Sequence, residues 1–343
     1  MSTQDLAGTA KAMVASGKGI LAADESTGSI EKRLKSVNVE STEENRRAYR
    51  EMLFTTKGLE EGINGVILFD ETLRQKAADG TPFPELLSKK GILPGIKVDT
   101  GAKEMALCPG ETVTEGLDNL SKRCAEYVKL GAKFAKWRAV ITIGADIPSA
   151  ACVIANAHAL ARYAAICQAA GLVPIVEPEV LMDGDHTIER CEQVTEWTLR
   201  ETFAALASQR VVLEHMVLKP SMVISGKSCK KQAGVQEVAA RTLQTLKHTV
   251  PAAVPGCAFL SGGQSDELAT AHLDAMNKIG GAAWALTFSY GRALQHPSLT
   301  TWKGSAANVP AAQRALYHRA RMNGLASVGQ YRTELEKEAA RAG

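Results

Sequence analysis

The sequence predicts an α/β fold in which eight strands alternate with helices and close into one (β/α)8 barrel, the TIM barrel. Eight short apolar runs recur along the 343 residues, helical segments lie between them, and charged residues stand near the ends of several runs. Barrels of this kind commonly reach this length as one domain. No linker-like segment divides the chain, so we expect a single domain over residues 1–343 with a C-terminal helical tail from about residue 310.

The apolar runs mark the predicted strands. They occupy residues 19–23, 65–69, 95–98, 134–140, 173–180, 217–223, 257–260 and 283–288. Between them, apolar residues recur at helical spacing in segments such as 118–131, 151–171 and 236–248. Short apolar runs separated by helices are typical of parallel strands buried on both faces. Eight such units favour a closed barrel, with an open doubly wound sheet as the alternative.

Composition excludes several classes of partner. The net charge is +3 and both signs are interspersed, which gives no basis for binding nucleic acid. No apolar run approaches the length of a membrane span, and residues 1–18 lack the features of a secretory or transit peptide. We therefore expect a cytoplasmic protein without membrane contact. The seven cysteines are widely spaced and contain no C-x-x-C pair, which indicates reduced thiols.

Charged residues near the carboxyl ends of five predicted strands point to an active site. A buried parallel strand should be almost entirely apolar, because an unpaired buried charge is costly. Charges just beyond a strand would be unremarkable in a loop, but their recurrence on five strands favours the barrel mouth, where such enzymes assemble their active sites. These residues are Asp24, Lys97, Asp99, Lys136, Arg138, Glu177, Glu179 and Lys219.

Lys219 is the best candidate for a nucleophile. A lysine amine reacts only in its neutral form, which burial and neighbouring cations favour. Lys219 has the most apolar neighbours of the three lysines, and Lys136 and Arg138 would supply positive charge beside it. Lys136 could also bind a polar or phosphate group. A purely structural role is the alternative for Lys97.

Schiff-base formation on a lysine also requires groups that move protons. Glu177, Glu179 and Asp24 are the candidates for this acid and base work. The two glutamates could instead pair with Lys136 or Arg138 and hold geometry without transferring protons. The sequence leaves both roles open.

Two glycine-rich segments predict a phosphate site. Leu-Ser-Gly-Gly at residues 260–263 ends the seventh run, and Ser-Tyr-Gly-Arg at residues 289–292 follows the eighth. These loops often bind phosphate in such barrels, through backbone amides and here through Arg292. Tight turns are the alternative explanation for the glycines.

Three other motifs do not fit their usual functions. Gly226-Lys227-Ser228 resembles the end of a P-loop, but Ser221 stands where the leading glycine should be. The glycines at residues 17 and 19 precede a strand, whereas a dinucleotide fingerprint follows one. Asp183, Asp185 and His186 lack the paired spacing of metal ligands. We expect neither a cofactor nor a metal.

Eight ordered motifs from Gly19 to about Gly329 resemble class I fructose-bisphosphate aldolases. They lie at residues 19–28, 65–69, 95–99, 134–138, 176–179, 218–220, 260–264 and 288–295. The resemblance implies a metal-independent lyase of the aldehyde-lyase class, active in glycolysis and gluconeogenesis. Its reaction is the reversible cleavage of fructose 1,6-bisphosphate, a sugar phosphate, to dihydroxyacetone phosphate and glyceraldehyde 3-phosphate. Family members are usually cytoplasmic homotetramers.

The resemblance also implies a role for each site residue. Lys219 would form the Schiff base, Glu177 would be the principal general acid and base, and Glu179 would support it. Asp24 would handle the C4 hydroxyl proton, and Lys136 would tune the charge around Lys219. Lys97, Lys136 and Arg138 would contact substrate. The C1 phosphate would be held by Ser261, Gly262, Gly263, Gly291 and Arg292, and the C6 phosphate by Ser26, Ser29 and Arg33.

The chain departs from the family in its last residues. Members with the best-known mechanism end in a mobile tail whose terminal tyrosine assists proton transfer, whereas residues 338–343 read Glu-Ala-Ala-Arg-Ala-Gly. We expect another group or water to serve, unless this form lacks the tail. A transaldolase-like enzyme that accepts one phosphate is the alternative enzyme. A binding scaffold with a protein partner is the alternative of another class.

Overall fold

The computed structural model describes residues 5–341, and it describes the side chains of the last helix as far as Lys337. The expectations for residues 1–4 and for the end of the chain at residues 342–343 therefore lie outside the described residues. The side chains of residues 338–341, which belong to the expected departure from the family, also lie outside them.

Eight parallel strands form a closed barrel, which confirms the predicted fold class and excludes the open sheet. The barrel contains every strand except β4 and β5, and β10 pairs with β1 to close it. The ten strands are β1 (Gly19–Ala23), β2 (Ile63–Leu68), β3 (Leu93–Lys97), β4 (Gly101–Glu104), β5 (Thr112–Glu115), β6 (Phe134–Ile141), β7 (Val173–Val180), β8 (Val217–Leu218), β9 (Gly256–Phe259) and β10 (Ala285–Tyr290).

Helices follow the strands and cover the outside of the barrel. The predicted helical segments 118–131, 151–171 and 236–248 correspond to α7, α8 and α10, and α13 and α14 lie where the helical tail is expected. The helices are α1 (Leu6–Met13), α2 (Thr27–Lys35), α3 (Glu43–Phe54), α4 (Leu59–Gly62), α5 (Asp70–Arg74), α6 (Phe83–Lys89), α7 (Leu120–Lys129), α8 (Ala150–Ala169), α9 (Ile188–Ser208), α10 (Val235–Thr249), α11 (Asp266–Ile279), α12 (Arg292–Trp302), α13 (Val309–Ala326) and α14 (Glu334–Arg341).

The strand prediction is wrong in two places, at β8 and at the hairpin of β4 and β5. Strand β8 ends at Leu218 although the apolar run continues to residue 223, because Pro220 has no N–H to extend the ladder. The Lys219 N–H still donates to the Val176 carbonyl over 2.8 Å, so Lys219 stands at the very end of the strand. The antiparallel hairpin of β4 and β5 was not predicted, because its short strands are polar and partly exposed.

Apolar side chains fill the barrel from its amino end. Phe134, Ile175 and Val217 are fully buried there with side chains from the other strands, and Met13 of α1 packs against them. Full burial of each such side chain contributes about 1.5–3 kcal/mol. Phe134 lies so close to Gly95 that a Cβ at residue 95 would be 2.2 Å from its ring. The amino end of the barrel is therefore a packed core.

Helix α8 corrects one expectation from the sequence. It has 20 residues, and an 18-residue window within it has a mean hydropathy of 1.3. By length and composition it could therefore cross a membrane, although no such run was anticipated. More than half of this segment is buried. It packs against α9, β6 and β7, so its apolar surface is explained by the outer layer of the barrel.

The last helix is attached to α13 by charged groups. Glu336 of α14 lies 2.5 Å from Arg319 Nη1 and 2.7 Å from His318 Nε2. The Tyr331 hydroxyl also donates to Glu336 over 3.1 Å. The Arg319 side chain is only 4% exposed, so this contact anchors α14 to the body of the barrel.

Candidate active site

One cavity of about 480 Å³ opens at the carboxyl ends of the barrel strands. It is lined by polar and charged side chains contributed by strand ends and by the loops that follow them. The structure brings all fifteen of the predicted site residues to this cavity, namely Asp24, Ser26, Ser29, Arg33, Lys97, Lys136, Arg138, Glu177, Glu179, Lys219, Ser261, Gly262, Gly263, Gly291 and Arg292.

Two lysines and two carboxylates form a buried cluster at the base of the cavity. Lys136 Nζ lies 2.7 Å from Asp24 Oδ2 and 3.3 Å from Glu177 Oε2. The other oxygen of Glu177 lies 3.1 Å from Lys219 Nζ. The four side chains come from the ends of β1 and β8 and from the interiors of β6 and β7, and all are nearly buried. Glu177 therefore bridges the two lysines.

The charges in this cluster set the protonation states of its members. Burial alone would raise the pKa of Asp24 and of Glu177, but Lys136 and Lys219 outweigh burial and lower both. Burial would lower the pKa of Lys136, and Asp24 and Glu177 reverse that effect and raise it. At neutral pH the two carboxylates are therefore ionised and Lys136 stays a cation.

The rim of the cavity carries two further ion pairs. The Arg138 guanidinium bonds to Glu179, which raises the pKa of Arg138 although burial opposes it. Lys97 Nζ lies 2.8 Å from Asp99 Oδ1. Asp99 also accepts hydrogen bonds from the backbone N–H of Gly101 and of Arg138, over 3.1 and 3.3 Å. Both glutamates thus make the ion pairs that the sequence offered as an alternative, Glu179 with Arg138 and Glu177 with Lys136, and Glu177 contacts Lys219 as well.

The loop after β9 and the start of α12 lie side by side on one part of the cavity wall. Gly262 and Gly263 have φ angles of 58° and 83°, in the left-handed region that glycine tolerates best. Arg292 is the first residue of α12, and its Nη1 atom would be 3.6 Å from a Cβ at Gly263. Backbone amides at a helix amino terminus together with a guanidinium make a favourable site for an anion.

Ser26, Ser29 and Arg33 of α2 form another part of the wall, with Ser26 as the N-cap, Ser29 in the first turn and Arg33 in the last turn. The two serine hydroxyls lie 3.2 Å apart, and Arg33 bonds to Glu25. Arg33 also lies close to the residues predicted to bind the C1 phosphate. Its Nη2 atom would be 3.6 Å from a Cβ at Gly291. The two predicted phosphate sites therefore adjoin at Arg33.

Glu25 is a cavity residue that the sequence did not single out. Its Oε2 atom lies 3.0 Å from Arg50 Nη2, and its Oε1 atom accepts a hydrogen bond from Gln295 over 2.8 Å. Gln295 in turn accepts from the Tyr49 hydroxyl over 3.0 Å. This buried network holds Glu25, which orients Arg33 toward the cavity. Its position directly after Asp24 was the only available signal.

Lys227 also lines the cavity, although it belongs to the motif that was set aside as a false P-loop. Its backbone N–H donates to the Met182 carbonyl over 2.7 Å, and Met182 Sδ lies beside the loop of Gly262 and Gly263. The Lys227 ammonium makes no ion pair within the part of the chain that the structure describes. The cation is therefore free to face an anion in the cavity.

The three residues considered as metal ligands do not form a site. Over residues 5–341, no group of three or more histidine, cysteine, aspartate or glutamate side chains is arranged to hold a metal ion. Asp183 lines the outer cavity and is exposed, whereas His186 is buried beneath the loop.

The family model described as "Fructose-bisphosphate aldolase class-I" matches residues 5–343. The chain belongs to the class I fructose-bisphosphate aldolase family. The enzyme is a lyase that cleaves fructose 1,6-bisphosphate reversibly to dihydroxyacetone phosphate and glyceraldehyde 3-phosphate, a step of glycolysis. This confirms the resemblance and the activity expected from it.

Individual relatives agree with this family. A probable fructose-bisphosphate aldolase class 1 from Xanthomonas campestris pv. campestris is 60% identical over 97% of this chain and 100% of its own length. Fructose-bisphosphate aldolase B from Gallus gallus is 54% identical over 96% of this chain and 91% of its own. A solved fructose-bisphosphate aldolase from Plasmodium falciparum superposes with a TM-score of 0.94 at 50% identity and covers 95% of each chain. The enzyme thus shares both sequence and barrel with known aldolases.

Proposed function

We propose that the enzyme cleaves its substrate through a Schiff base on Lys219, without a metal or a cofactor. The observation that carries the proposal is the 3.1 Å contact between Lys219 Nζ and Glu177 Oε1 inside the buried cluster. A nucleophilic amine beside a carboxylate that can move its proton is the arrangement that covalent catalysis at a carbonyl requires.

The surroundings of the three lysines favour Lys219 as the nucleophile. Lys136 contacts two carboxylates, and its raised pKa keeps it protonated and therefore unreactive as a nucleophile. Lys97 lies toward the rim in an ion pair with Asp99. Lys219 is buried, contacts one carboxylate and has the Lys136 cation on the other side of that carboxylate.

Glu177 would move the protons of Schiff-base formation. The Lys219 ammonium first gives a proton to the ionised Glu177, and the neutral amine then forms a bond to C2 of the ketose. A proton moves from the new C–N nitrogen to the C2 oxygen, which becomes the hydroxyl of a carbinolamine. Glu177 then returns its proton to this C2 hydroxyl, which leaves as water and yields the iminium. The short distance from one carboxylate to both lysines supports this exchange, with Lys136 stabilising the ionised form of Glu177.

Asp24 would act in the cleavage itself. It is ionised because Lys136 and Lys219 outweigh its burial, so it can accept the proton of the C4 hydroxyl. The C3–C4 bond then breaks, its electron pair moves into the iminium to form an enamine, and glyceraldehyde 3-phosphate leaves. Protonation of the enamine at C3 and hydrolysis release dihydroxyacetone phosphate from Lys219. Water or a side chain at the mouth would supply the C3 proton.

The two phosphates of the substrate would occupy two parts of the cavity wall that adjoin at Arg33. Arg292, the amides of residues 261–263 and Gly291 suit the C1 phosphate. Ser26, Ser29 and Arg33 suit the C6 phosphate, and Lys97 and Arg138 line the same cavity and would contact the substrate. A cavity with two anion sites favours a bisphosphate over the single phosphate of a transaldolase-like substrate.

The test combines a chelator with chemical trapping. We expect cleavage of fructose 1,6-bisphosphate to persist in excess EDTA. We also expect borohydride to inactivate the enzyme only when substrate is present, because reduction makes the iminium a stable amine. Loss of activity in EDTA together with resistance to borohydride would contradict the proposal and indicate a metal-dependent reaction.

We also propose a cytoplasmic homotetramer of single-domain subunits. The usual homotetrameric state of family members supports the tetramer. Within the described residues, the hairpin of β4 and β5 carries Leu107 fully exposed at its tip, and such an apolar side chain is suited to burial by a neighbouring subunit. Light scattering at micromolar concentration tests this assembly, and a monomeric mass would contradict it.

A further inference from the structure

Behind the loop of Ser261, Gly262 and Gly263, a glutamine joins the cavity wall to helix α11. The backbone N–H of Gln264 donates to the Ser261 carbonyl over 3.0 Å, and its side-chain Nε2 donates to the same carbonyl over 2.9 Å. Gln264 Oε1 lies 2.6 Å from Nδ1 of His272, a buried residue of α11. The loop carbonyl is thus held from behind by one side chain.

The hydrogen-bonding capacity of each group fixes the orientation of this chain of contacts. The Ser261 carbonyl only accepts, so the Gln264 amide must present its Nε2 toward it. Gln264 Oε1 then faces His272, and because this oxygen also only accepts, His272 Nδ1 must carry a proton. If the Gln264 amide were flipped, its Oε1 atom would face the Ser261 carbonyl oxygen, and neither atom can donate a hydrogen bond.

His272 meets this requirement as a neutral imidazole. Burial lowers its pKa to about 4, so at neutral pH the ring has one proton. That proton is required on Nδ1, which leaves His272 Nε2 as a bare acceptor, and this atom is buried without a hydrogen-bond partner. An unpaired buried acceptor has a cost, which is offset here by fixing the tautomer that Gln264 needs.

We propose that His272 is a positioning residue for the phosphate site, acting through Gln264. By holding the Ser261 carbonyl toward the protein interior, the pair leaves the amides of this loop free to face the phosphate. The two following glycines at positive φ give the loop no side chains with which to hold that turn itself. The inference rests on the proposed assignment of the C1 phosphate to this loop.

The test replaces His272 with leucine and with asparagine. His272→Leu keeps an apolar volume but removes the proton donor, whereas in His272→Asn the Nδ2 atom stands about where His Nδ1 stood and can donate to Gln264. We expect the leucine variant to raise KM for fructose 1,6-bisphosphate and the inhibition constant of inorganic phosphate by roughly tenfold, equivalent to the net loss of about one good hydrogen bond. We expect kcat to change less than threefold and the asparagine variant to restore both constants.

A second variant keeps the proposal testable if the leucine variant does not fold. Gln264→Glu retains an acceptor for His272 but loses the donor to the Ser261 carbonyl, so it should weaken phosphate binding in the same way. The inference would be overturned if a folded His272→Leu or Gln264→Glu variant had the KM and the phosphate inhibition constant of the parent enzyme. It would also be overturned if His272→Asn failed to restore these two constants.

Arg292→Ala separates this inference from the proposed phosphate site. If Arg292→Ala weakens phosphate inhibition and the His272 and Gln264 variants do not, only the positioning role is wrong. If Arg292→Ala also leaves phosphate inhibition unchanged, the assignment of the C1 phosphate to this loop is wrong, and the inference falls with it.

Discussion

Glu177 stands between two lysines and contacts each with a different oxygen: Oε1 lies 3.1 Å from Lys219 Nζ and Oε2 lies 3.3 Å from Lys136 Nζ. Neighbouring strands bring the three residues together, because β7 pairs in parallel with both β6 and β8. Lys136 stands opposite Ile175, two positions before Glu177, and Lys219 directly follows β8. Both lysines help to keep the carboxylate ionised, and in the proposed mechanism Lys219 would also exchange protons with it.

Glu177→Gln should slow the reaction without preventing substrate binding. The amide cannot accept or return the proton of Schiff-base formation, so we expect kcat to fall by about 10²- to 10⁴-fold and KM to change little. Steady-state kinetics with fructose 1,6-bisphosphate measures both. Glu179→Gln is the matched comparison, and we expect a smaller loss because Glu179 pairs with Arg138. A kcat within threefold of the parent enzyme for Glu177→Gln would contradict its role.

Arg292→Ala should mainly weaken binding. Hydrogen bonds from a guanidinium to phosphate contribute about 1.5–3 kcal/mol, which corresponds to a roughly 10- to 150-fold increase in KM. The inhibition constant of inorganic phosphate should rise in parallel. Arg314→Ala, on the exposed face of α13, is the control for loss of a positive charge far from the cavity. Equal effects of the two substitutions would mean that Arg292 acts only through net charge.

Lys227→Gln should lower the affinity for phosphorylated substrate in a salt-dependent manner. The Lys227 cation lines the cavity together with the loop of Ser261, Gly262 and Gly263, and it is exposed to solvent. We therefore expect a KM increase of about two- to fivefold at low ionic strength. The difference should shrink in 0.5 M salt. Lys230→Gln, in the same loop but outside the cavity, should leave KM unchanged. A salt-independent effect would point to a structural role for Lys227.

The contact of Glu336 with Arg319 should make stability depend on acid pH. Burial opposes ionisation of Glu336, but His318 and Arg319 outweigh it and lower its pKa to about 2. Because this folded-state pKa lies below the ordinary value of 4.5, the stabilisation is fully present above pH 4.5 and is lost as pH falls toward 2. At pH 7, Glu336→Gln should cost about 2 kcal/mol of unfolding free energy.

Chemical unfolding at several pH values checks this expectation. The difference between the parent enzyme and Glu336→Gln should narrow steadily below pH 4.5. Glu334→Gln, an exposed position on the same helix, should leave the curve unchanged. A Glu336→Gln effect that is equally large at pH 3 and pH 7 would show that packing, not ionisation, attaches α14.

The strand positions were predictable because barrel strands are buried on both faces and leave apolar runs in the sequence. Phe134 and Ile175 lie in such runs and fill the barrel interior. The hairpin of β4 and β5 was missed because its strands are short and polar. Strand β8 was predicted too long, since the apolar run past Lys219 continues as buried loop.

The site residues were predictable as a set but their partners were not. Charges on buried strands are costly, which makes residues such as Lys136 and Glu177 conspicuous in a sequence. Which carboxylate meets which lysine depends on barrel closure and on rotamers, neither of which leaves a local pattern. Lys227, Glu25 and His272 were missed for the same reason: a loop lysine, a glutamate beside a strand and a histidine within a helix look ordinary until the chain folds.

The identity of the reactive lysine is a direct test of the proposed Schiff-base mechanism. Enzyme incubated with fructose 1,6-bisphosphate and EDTA is reduced with borohydride, digested and mapped by mass spectrometry, with Lys219→Met treated in parallel. We expect one substrate adduct, on Lys219, and none in the variant. An adduct on Lys136 or Lys97, or trapping that persists in Lys219→Met, would contradict the proposal.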